Sequence, residues 1–541
     1  MGWTGSGGLN PGELLAETER KLPCPAWQLP RGGPVLLGAS VAVRNASVNL
    51  GGTIPFAPQP ALPYVCPMHR CHFALVLLAA CCLAQPAAAA AAKPNFVLCM
   101  ADDQGWGDMA YNGHPVVNTP VFDELARTGW RFDRFYAGAP VCSPTRASVM
   151  TGRTPNRMGA FSWGYTLRPQ EITVAEALKA AGYTTGHFGK WHLGSLRPDS
   201  SVNPGNSGFD DWFSSPNFFE VDPWMCDKGK AVKTTGEGSE VIVKRALEFI
   251  RKAKQSDKPF LAVVWFGSPH APHVGTERDL ALYADQPKKQ QHFLAEITAM
   301  DRAMGQLRAG LREQGVADNT LLWYNSDNGA IAEGSTGGLR AKKGSIYEGG
   351  LRVPGLMEWP ARLKQPRVVT VPCGTVDIYP TLLELAGARV AKQRVLDGVS
   401  LVPLLDGKMT SRPRPMGFWD HTNGGLGVKS GDLLEKLAAE QAAGKVQPAS
   451  EAEPIPAAQL RTDYSDTTFG KHAAWLDNDW KLHRIEPKTG PVKWELYNLA
   501  TDRTESKDLF TAEPQRAAKM QTELTAWLKS VVNSLNGHDY Q

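Results

Sequence analysis

The sequence predicts an α/β fold: a large, mostly parallel mixed sheet flanked by helices, with a small C-terminal subdomain of antiparallel sheet plus helix. Three observations lead there. Short, unbroken apolar runs end abruptly in polar residues, as strands buried on both faces do. Stretches with apolar residues three and four apart alternate with those runs, an order that favours parallel strands covered by helices on both sides. Beyond about residue 410 the texture changes to an Ala/Glu/Gln-rich stretch followed by short alternating segments.

Taken in order, Asn95 to Met100 (NFVLCM) reads as a central strand that delivers Asp102 and Asp103 at its C-terminal tip. Pro120 to Thr128 carries a helical period. In CSPTRASVMTGR (Cys142 to Arg153), Ser143 is a good N-cap and Pro144 a good first helical residue, so a helix is expected to start just after Cys142. That places side chain 142 at the positive end of a helix, with Arg146 about one turn further on. Thr173 to Ala181, Glu240 to Lys254 and Gln291 to Gln314 are the next helices. Phe260 to Phe266 (FLAVVWF) is a second buried strand ending near His270, and Thr320 to Tyr324 (TLLWY) a third ending at Asp327 and Asn328. Open α/β sheets hold their ligands at such strand ends. Leu434 to Ala457 is a surface insertion or a helix with a linker; Ala473 to His483 and Trp494 to Leu499 are antiparallel strands; Glu513 to Asn533 is a closing helix with Pro514 in its first turn. No repeat at solenoid or propeller period is visible.

A chain of 541 residues with 42% hydrophobic content and a net charge of +4 is an ordinary globular protein, too weakly charged to argue for nucleic acid. No apolar run reaches a membrane span. A secretory signal is readable from Met68: His69, Arg70 and His72 make a basic start, Phe73 to Ala80 an apolar core and Ala87 to Ala92 a small-residue cleavage region. Residues 68–92 are therefore expected to direct export to the periplasm or beyond, and residues 1–67 to be a misassigned upstream stretch or a disordered leader. Leu78 to Cys81 reads equally as a lipoprotein box that acylates Cys81 and anchors the chain, or as cysteines within an Ala-rich signal. Of the nine cysteines, Cys99, Cys142, Cys226 and Cys373 lie beyond that region, and no full disulfide framework is implied. Cys99 is expected to be a buried strand residue.

Each site motif has an ordinary reading when taken alone. Cys142 would be a buried thiol before a helix. Asp102 and Asp103 would be a surface turn, and SDNG (Ser326 to Gly329) a hairpin turn, although GAIAEG after it supplies no alternating partner strand. Lys190 and His192 in GKWHLG would be loop residues, and His270 and His273 in SPHAPH half of a zinc site with no third nitrogen or sulfur ligand nearby.

Together, CSPTR plus TGR, MADDQGWGD (Met100 to Asp108), GKWHLG, SPHAPH, SDNG, AKKGSIYEGGLRVP (Ala341 to Pro354) and LYNLATDRTESKDL resemble type I, formylglycine-dependent sulfatases of the alkaline phosphatase superfamily, in the arylsulfatase and N-acetylgalactosamine-6-sulfatase branch. The resemblance runs from about residue 94 to 535. It implies a catalytic domain over 93–410, insertion and substrate loops over 411–465 and a C-terminal subdomain over 466–541.

It further implies that Cys142 is oxidised by a formylglycine-generating maturation enzyme to 3-oxoalanine, with Thr145 replacing the serine most common at that position. Asp102, Asp103, Asp327 and Asn328, with residue 142, would hold one Ca²⁺, which all-oxygen ligation suits better than zinc. Arg146 and Lys190 would hold the sulfate and the aldehyde hydrate, His192 would act as base, and His270 and Lys343 would donate to sulfate or to the leaving oxygen. The Lys-Gly-x-x-Tyr-Glu-Gly-Gly spacing selects Lys343 over Lys342. One hydroxyl of the hydrate would attack sulfur, and loss of the other hydroxyl's proton would expel sulfate and restore the aldehyde. The implied substrate is a sulfated carbohydrate or an aryl sulfate. A phosphonate monoester or phosphodiester hydrolase of the same superfamily, and a noncatalytic sulfated-glycan binding protein, are the alternatives. Aromatics in Phe209 to Asp227 and in FWDHTN (Phe418 to Asn423) would either stack on sugar rings or pack the loops down.

Overall fold

The computed structural model describes residues 92–421, 424–450 and 463–540. The stretch expected to be a leader, the expected signal up to residue 91 with Cys81, Thr422 and Asn423 of FWDHTN, and the end of the Ala/Glu/Gln-rich stretch beyond residue 450 lie outside them.

The main sheet contains β1 (Asn95–Ala101), β2 (Trp130–Tyr136), β3 (Thr184–Lys190), β4 (Asp211–Ser215), β5 (Trp224–Asp227), β6 (Lys230–Lys233), β7 (Phe260–Trp265), β8 (Thr320–Ser326), β9 (Arg352–Glu358), β10 (Arg367–Val369) and β11 (Cys373–Gly374). Its order is β10-β2-β9-β8-β1-β7-β3-β4-β5-β6, with β11 also on β2. The central block β8-β1-β7-β3-β4 is parallel throughout. Antiparallel pairs, β9 with β2 and β8 and β5 with β4 and β6, flank it. All residues of β7 and β8 are buried, which is why they read as continuous apolar runs without alternation.

Helices cover both faces: α1 (Pro120–Thr128), α2 (Cys142–Thr151), α3 (Val174–Ala180), α4 (Gly238–Gln255), α5 (Lys288–Glu313) and α6 (Ile378–Ala386). Two buried apolar clusters result. One, around Leu98, Leu261 and Trp323, packs against α3 and α6; the other, around Val97, Phe122, Ile242 and Met304, packs against α1, α4 and α5. The period of two along β1 thus splits the core, with Phe96, Leu98 and Met100 on one face and Val97, Cys99 and Ala101 on the other. Cys99 is buried in the strand as expected. Helix α3 carries a full capping box, Thr173 Oγ1 accepting from Glu176 N at 3.1 Å while Glu176 accepts from Thr173 N at 2.7 Å.

The second sheet is antiparallel, in the order β12 (Met416–Asp420), β13 (Lys471–Asp477), β14 (Trp480–Glu486), β15 (Lys493–Asn498). Met416–Asp420, within the stretch expected to hold insertion loops, forms its first strand. Helix α7 (Ser430–Ala442) supplies the helical reading of the Ala/Glu-rich stretch, and α8 (Pro514–Leu535) packs Leu524, Trp527 and Leu528 on the small sheet. No helix among the described residues is long and apolar enough to cross a membrane.

One local expectation is corrected. Helix α2 begins at Cys142, with Val141 as N-cap and no side-chain capping bond. Ser143 already has helical backbone, and its hydroxyl instead accepts from the backbone N–H of Gly164 at 2.9 Å. Capping potential is local, and here a tertiary contact takes the hydroxyl.

Candidate active site

Four parallel strands end at one place. Register pairs Met100 of β1 with Trp265 of β7 and Asn325 of β8, and Gly189 of β3 with Trp265, so the residues after each tip converge. Asp102 and Asp103 follow β1, Asp327 and Asn328 follow β8, His270 follows β7, and Lys190 ends β3. Gly189 makes the last approach feasible. Its φ is +106°, and a Cβ there would lie 1.8 Å from the Trp265 carbonyl oxygen.

Buried charge organises the centre. Lys190 Nζ donates to Asp102 Oδ2 at 2.7 Å, and Arg146 donates to Asp327 Oδ2 at 2.7 Å and to the Lys190 carbonyl at 3.2 Å. The Arg146 guanidinium also lies 3.7 Å from Asp102 Oδ1 and over the Trp265 ring, with its centroid 5.1 Å away. Lys343 Nζ is 2.5 Å from Asp103 Oδ1, and His270 Nε2 is 3.5 Å from Asp103 Oδ2. Asp327 Oδ1 accepts from Asp103 N at 3.1 Å, and Asn328 Nδ2 donates to Asp103 Oδ1 at 2.9 Å. Asp103 and His192 hold left-handed backbone, φ 68° and 54°, the kind of local strain that a surrounding structure must over-determine.

Cys142 stands at the N-terminus of α2 within this group. Its Sγ and one carboxylate oxygen each of Asp102 and Asp327 lie within 4.8 Å of one another. The thiol is buried, and burial pushes it up from its ordinary value despite Lys190 and Lys343. Thr145 fixes the loop before it, its hydroxyl accepting from Ala139 N at 3.1 Å and donating to Ala139 O at 2.8 Å.

The titrating groups diverge as such a cluster requires. Burial, with repulsion from Asp327 and Asp103, pushes Asp102 up to about 8 against the pull of Lys190 and Arg146. For Asp103, burial is outweighed by Lys343, His270 and Lys190, which hold it below the usual carboxylate range. Asp103 in turn raises Lys343 against its burial. Burial, then Lys190 and Arg146, keep His192 neutral well below its usual value, and burial with Lys190 and Lys343 brings His270 down to about 4 against Asp103.

The donor set fits a hard divalent cation. Asp102 Oδ1 and Asn328 Oδ1 are buried with no hydrogen-bond partner among the described residues. Neither amide nor carboxylate oxygen is left so without cost unless something else binds it. His270 and His273 do not form a nitrogen pair: His273 sits 3.2 Å from Glu296 and 3.8 Å from Glu333, while His270 faces Asp103.

All the expected residues, Asp102, Asp103, Cys142, Arg146, Lys190, His192, His270, Asp327, Asn328 and Lys343, therefore lie at this end of the sheet. Arg153 of the TGR segment does not; it pairs with Glu171 at 2.6 Å and with Asp539 and serves the C-terminus. Contrary to the expectation of loop aromatics, Trp212 and Phe213 belong to strand β4 and, with Phe219, are buried in the apolar core, whereas half-buried Phe218 stacks on His270, centroids 4.3 Å apart. Trp265 beneath Arg146 was readable only as the end of an apolar strand.

A sulfatase family model matches residues 94–388. The chain is 32% identical to N-acetylgalactosamine-6-sulfatase of Canis lupus familiaris over 376 residues, covering 60% of this chain and 69% of that protein. It is 33% identical to human arylsulfatase A over 385 residues, covering 63% and 74%. Among solved structures, Ps i-CgsB in complex with k-i-k-neocarrahexaose superposes with a TM-score of 0.66 at 26% identity, covering 81% of this chain and 93% of that one.

Proposed function

The chain belongs to the sulfatase family and is a sulfuric ester hydrolase, and we propose that it removes sulfate from a sulfated carbohydrate or an aryl sulfate with formylglycine at position 142 as nucleophile. One observation carries this reading: a buried cysteine at a helix N-terminus, within 4.8 Å of two carboxylates that Arg146 and Lys190 bracket. A thiol with only a packing role would be better served by apolar neighbours.

The roles follow from position. Asp102, Asp103, Asp327 and Asn328 would hold Ca²⁺ together with residue 142. When bound, the cation supplies Lewis-acid charge that acidifies the hydrated aldehyde and offsets sulfate charge. With all three aspartates ionised, as cation binding requires, they are matched by Arg146, Lys190 and Lys343, so a dication makes the pocket net positive, as an anionic ester requires. Arg146, one turn into α2, and Lys190, at the tip of β3, would orient the nucleophilic hydroxyl and a sulfate oxygen. Lys343, kept protonated by Asp103, and His270 face the leaving-group oxygen. His192, neutral and buried, is suited to take the proton of the second hydroxyl, whose loss releases sulfate.

The names of the relatives and the carbohydrate complex favour a sulfated sugar, and the maturation enzyme that oxidises Cys142 is the implied partner. Export through residues 68–92, with or without acylation of Cys81, belongs to the same reading. The test is the mass of the tryptic peptide Phe135 to Arg146 from a host with the maturation machinery, with sulfate release from nitrophenyl sulfate compared with phenyl phosphonate monoesters. An aldehyde at 142 and faster sulfate release are expected; unmodified cysteine in an active preparation would remove the mechanism.

A further inference from the structure

Lys343 lies in a run without regular structure, between the end of β8 at Ser326 and a helical turn at Glu348–Leu351. A loop of that length does not fix an ammonium group by itself. Its local anchors are Lys343 N to Ala330 O and Gly344 N to Pro140 O, both at 2.9 Å, and Lys342 Nζ, which donates to the carbonyls of Ile331, Ala332 and Gly334 at 2.9–3.2 Å; the Lys343 ammonium itself reaches Asp103 Oδ1 at 2.5 Å. The turn beneath approaches closely because it carries glycines; a Cβ at Gly349 would lie 2.1 Å from Ala341 O and one at Gly350 2.0 Å from Ser345 O.

Further constraints, on both flanks of this segment, come from the antiparallel sheet and its following loop. Arg340, three residues before Lys343, donates to Tyr497 Oη at 3.0 Å and to the Glu505 carbonyl at 2.9 Å. Tyr347, four residues after it, donates to Glu495 at 2.7 Å. Glu348 N donates to Glu505 Oε2 at 2.6 Å, and Lys481 Nζ sits 2.9 Å from Glu348 Oε1 and 3.1 Å from Glu505 Oε1. Glu348, Lys481 and Glu505 are fully buried. A buried ionic triad of this kind adds little net stability compared with apolar packing, and its best-attested use is to fix one arrangement.

We propose that the C-terminal sheet is a positioning device for Lys343, with Lys481 and Glu505 as positioning residues that clamp the chain on both sides of it. This rests on the reading of Lys343 as a donor to the sulfate ester. The test is a double-mutant cycle on the matured full-length enzyme: Glu505→Gln and the milder Tyr497→Phe, each alone and combined with Lys343→Ala. Kinetics use nitrophenyl sulfate and a sulfated alkyl alcohol, and amine-reactive labelling of Lys343 is followed by mass spectrometry. Glu505→Gln is expected to lower kcat on the alkyl sulfate by about tenfold or more, with a smaller loss on nitrophenyl sulfate. In the Lys343→Ala background the same change should cost less than about twofold. Labelling of Lys343 should accelerate in both single variants. Equal losses in both backgrounds, or unchanged labelling, would overturn the proposal. If the unsubstituted enzyme releases no sulfate, the functional reading fails and the labelling rates alone decide the positioning claim.

Discussion

Arg146→Met removes the guanidinium that holds two buried carboxylates together. At 2.7 Å from Asp327, with both side chains fully buried, its attraction comes to roughly 6 kcal/mol at an effective dielectric constant of about 20, and Asp102, 3.7 Å away but pushed up to about 8, adds a smaller part near neutral pH. Several kcal/mol are returned because the guanidinium no longer has to be desolvated, leaving a net loss of about 3–5 kcal/mol. Most of that loss is the cost of leaving Asp102 and Asp327 with too little positive charge. A divalent cation supplies the missing charge. Urea unfolding in EDTA should therefore show a lower midpoint with unchanged slope, and saturating Ca²⁺ should restore more stability to the variant than it adds to the parent. Activity should not return, because loss of an aimed donor costs about 10²–10³-fold in kcat. Arg146→Lys should rescue little, since one ammonium cannot reach Asp327 and the Lys190 carbonyl in the same fork. A variant within about 1 kcal/mol of the parent in EDTA would refute the electrostatic account.

Cys142→Ala should abolish sulfate release while leaving the unfolding midpoint near the parent's, and Cys142→Ser should stall as a stable sulfate ester with no second hydroxyl to expel it, visible as added mass on the peptide. Asn328→Ala removes one of the two unpartnered oxygens and should weaken Ca²⁺ binding by about tenfold or more in calorimetry. Gly189→Ala places a methyl group against the Trp265 carbonyl at a positive φ and should cost about 2–5 kcal/mol, read from chemical denaturation. Burial, with Lys471 nearby, brings His421 down to about 4, so the unfolded chain binds a proton that the folded chain refuses between pH 6.5 and 4. Stability should fall as pH drops through that window, and His421→Gln should make the fall shallower by up to about 3 kcal/mol.

The sheet was legible where burial is two-sided. β1, β7 and β8 read as apolar runs because neither face meets water, and their polar successors marked the strand tips correctly. The outer strands β5, β6 and β10, four residues or fewer with mixed burial, carry no comparable signal, and β12 is separated from its partner β13 by fifty residues of sequence. Helix ends were readable when the cap is local, as at Thr173, and misread at Ser143, whose hydroxyl is claimed by Gly164 from outside the helix.

The same distinction governs the site. Asp102, Asp327 and Cys142 each sit in a motif whose chemistry is carried by neighbours in sequence, so their association could be anticipated. What holds Lys343 in register could not, because Lys481 and Glu505 are ordinary residues in their own segments and gain meaning only from Glu348 across the fold. Charge cancellation ties the two levels together: each buried acid in the site faces a cation from a different strand, helix or loop, so the packing that closes the sheet also sets the electrostatics of the pocket. A substitution that moves any one strand tip must therefore change stability and sulfate chemistry together, whereas one confined to position 142 should separate them.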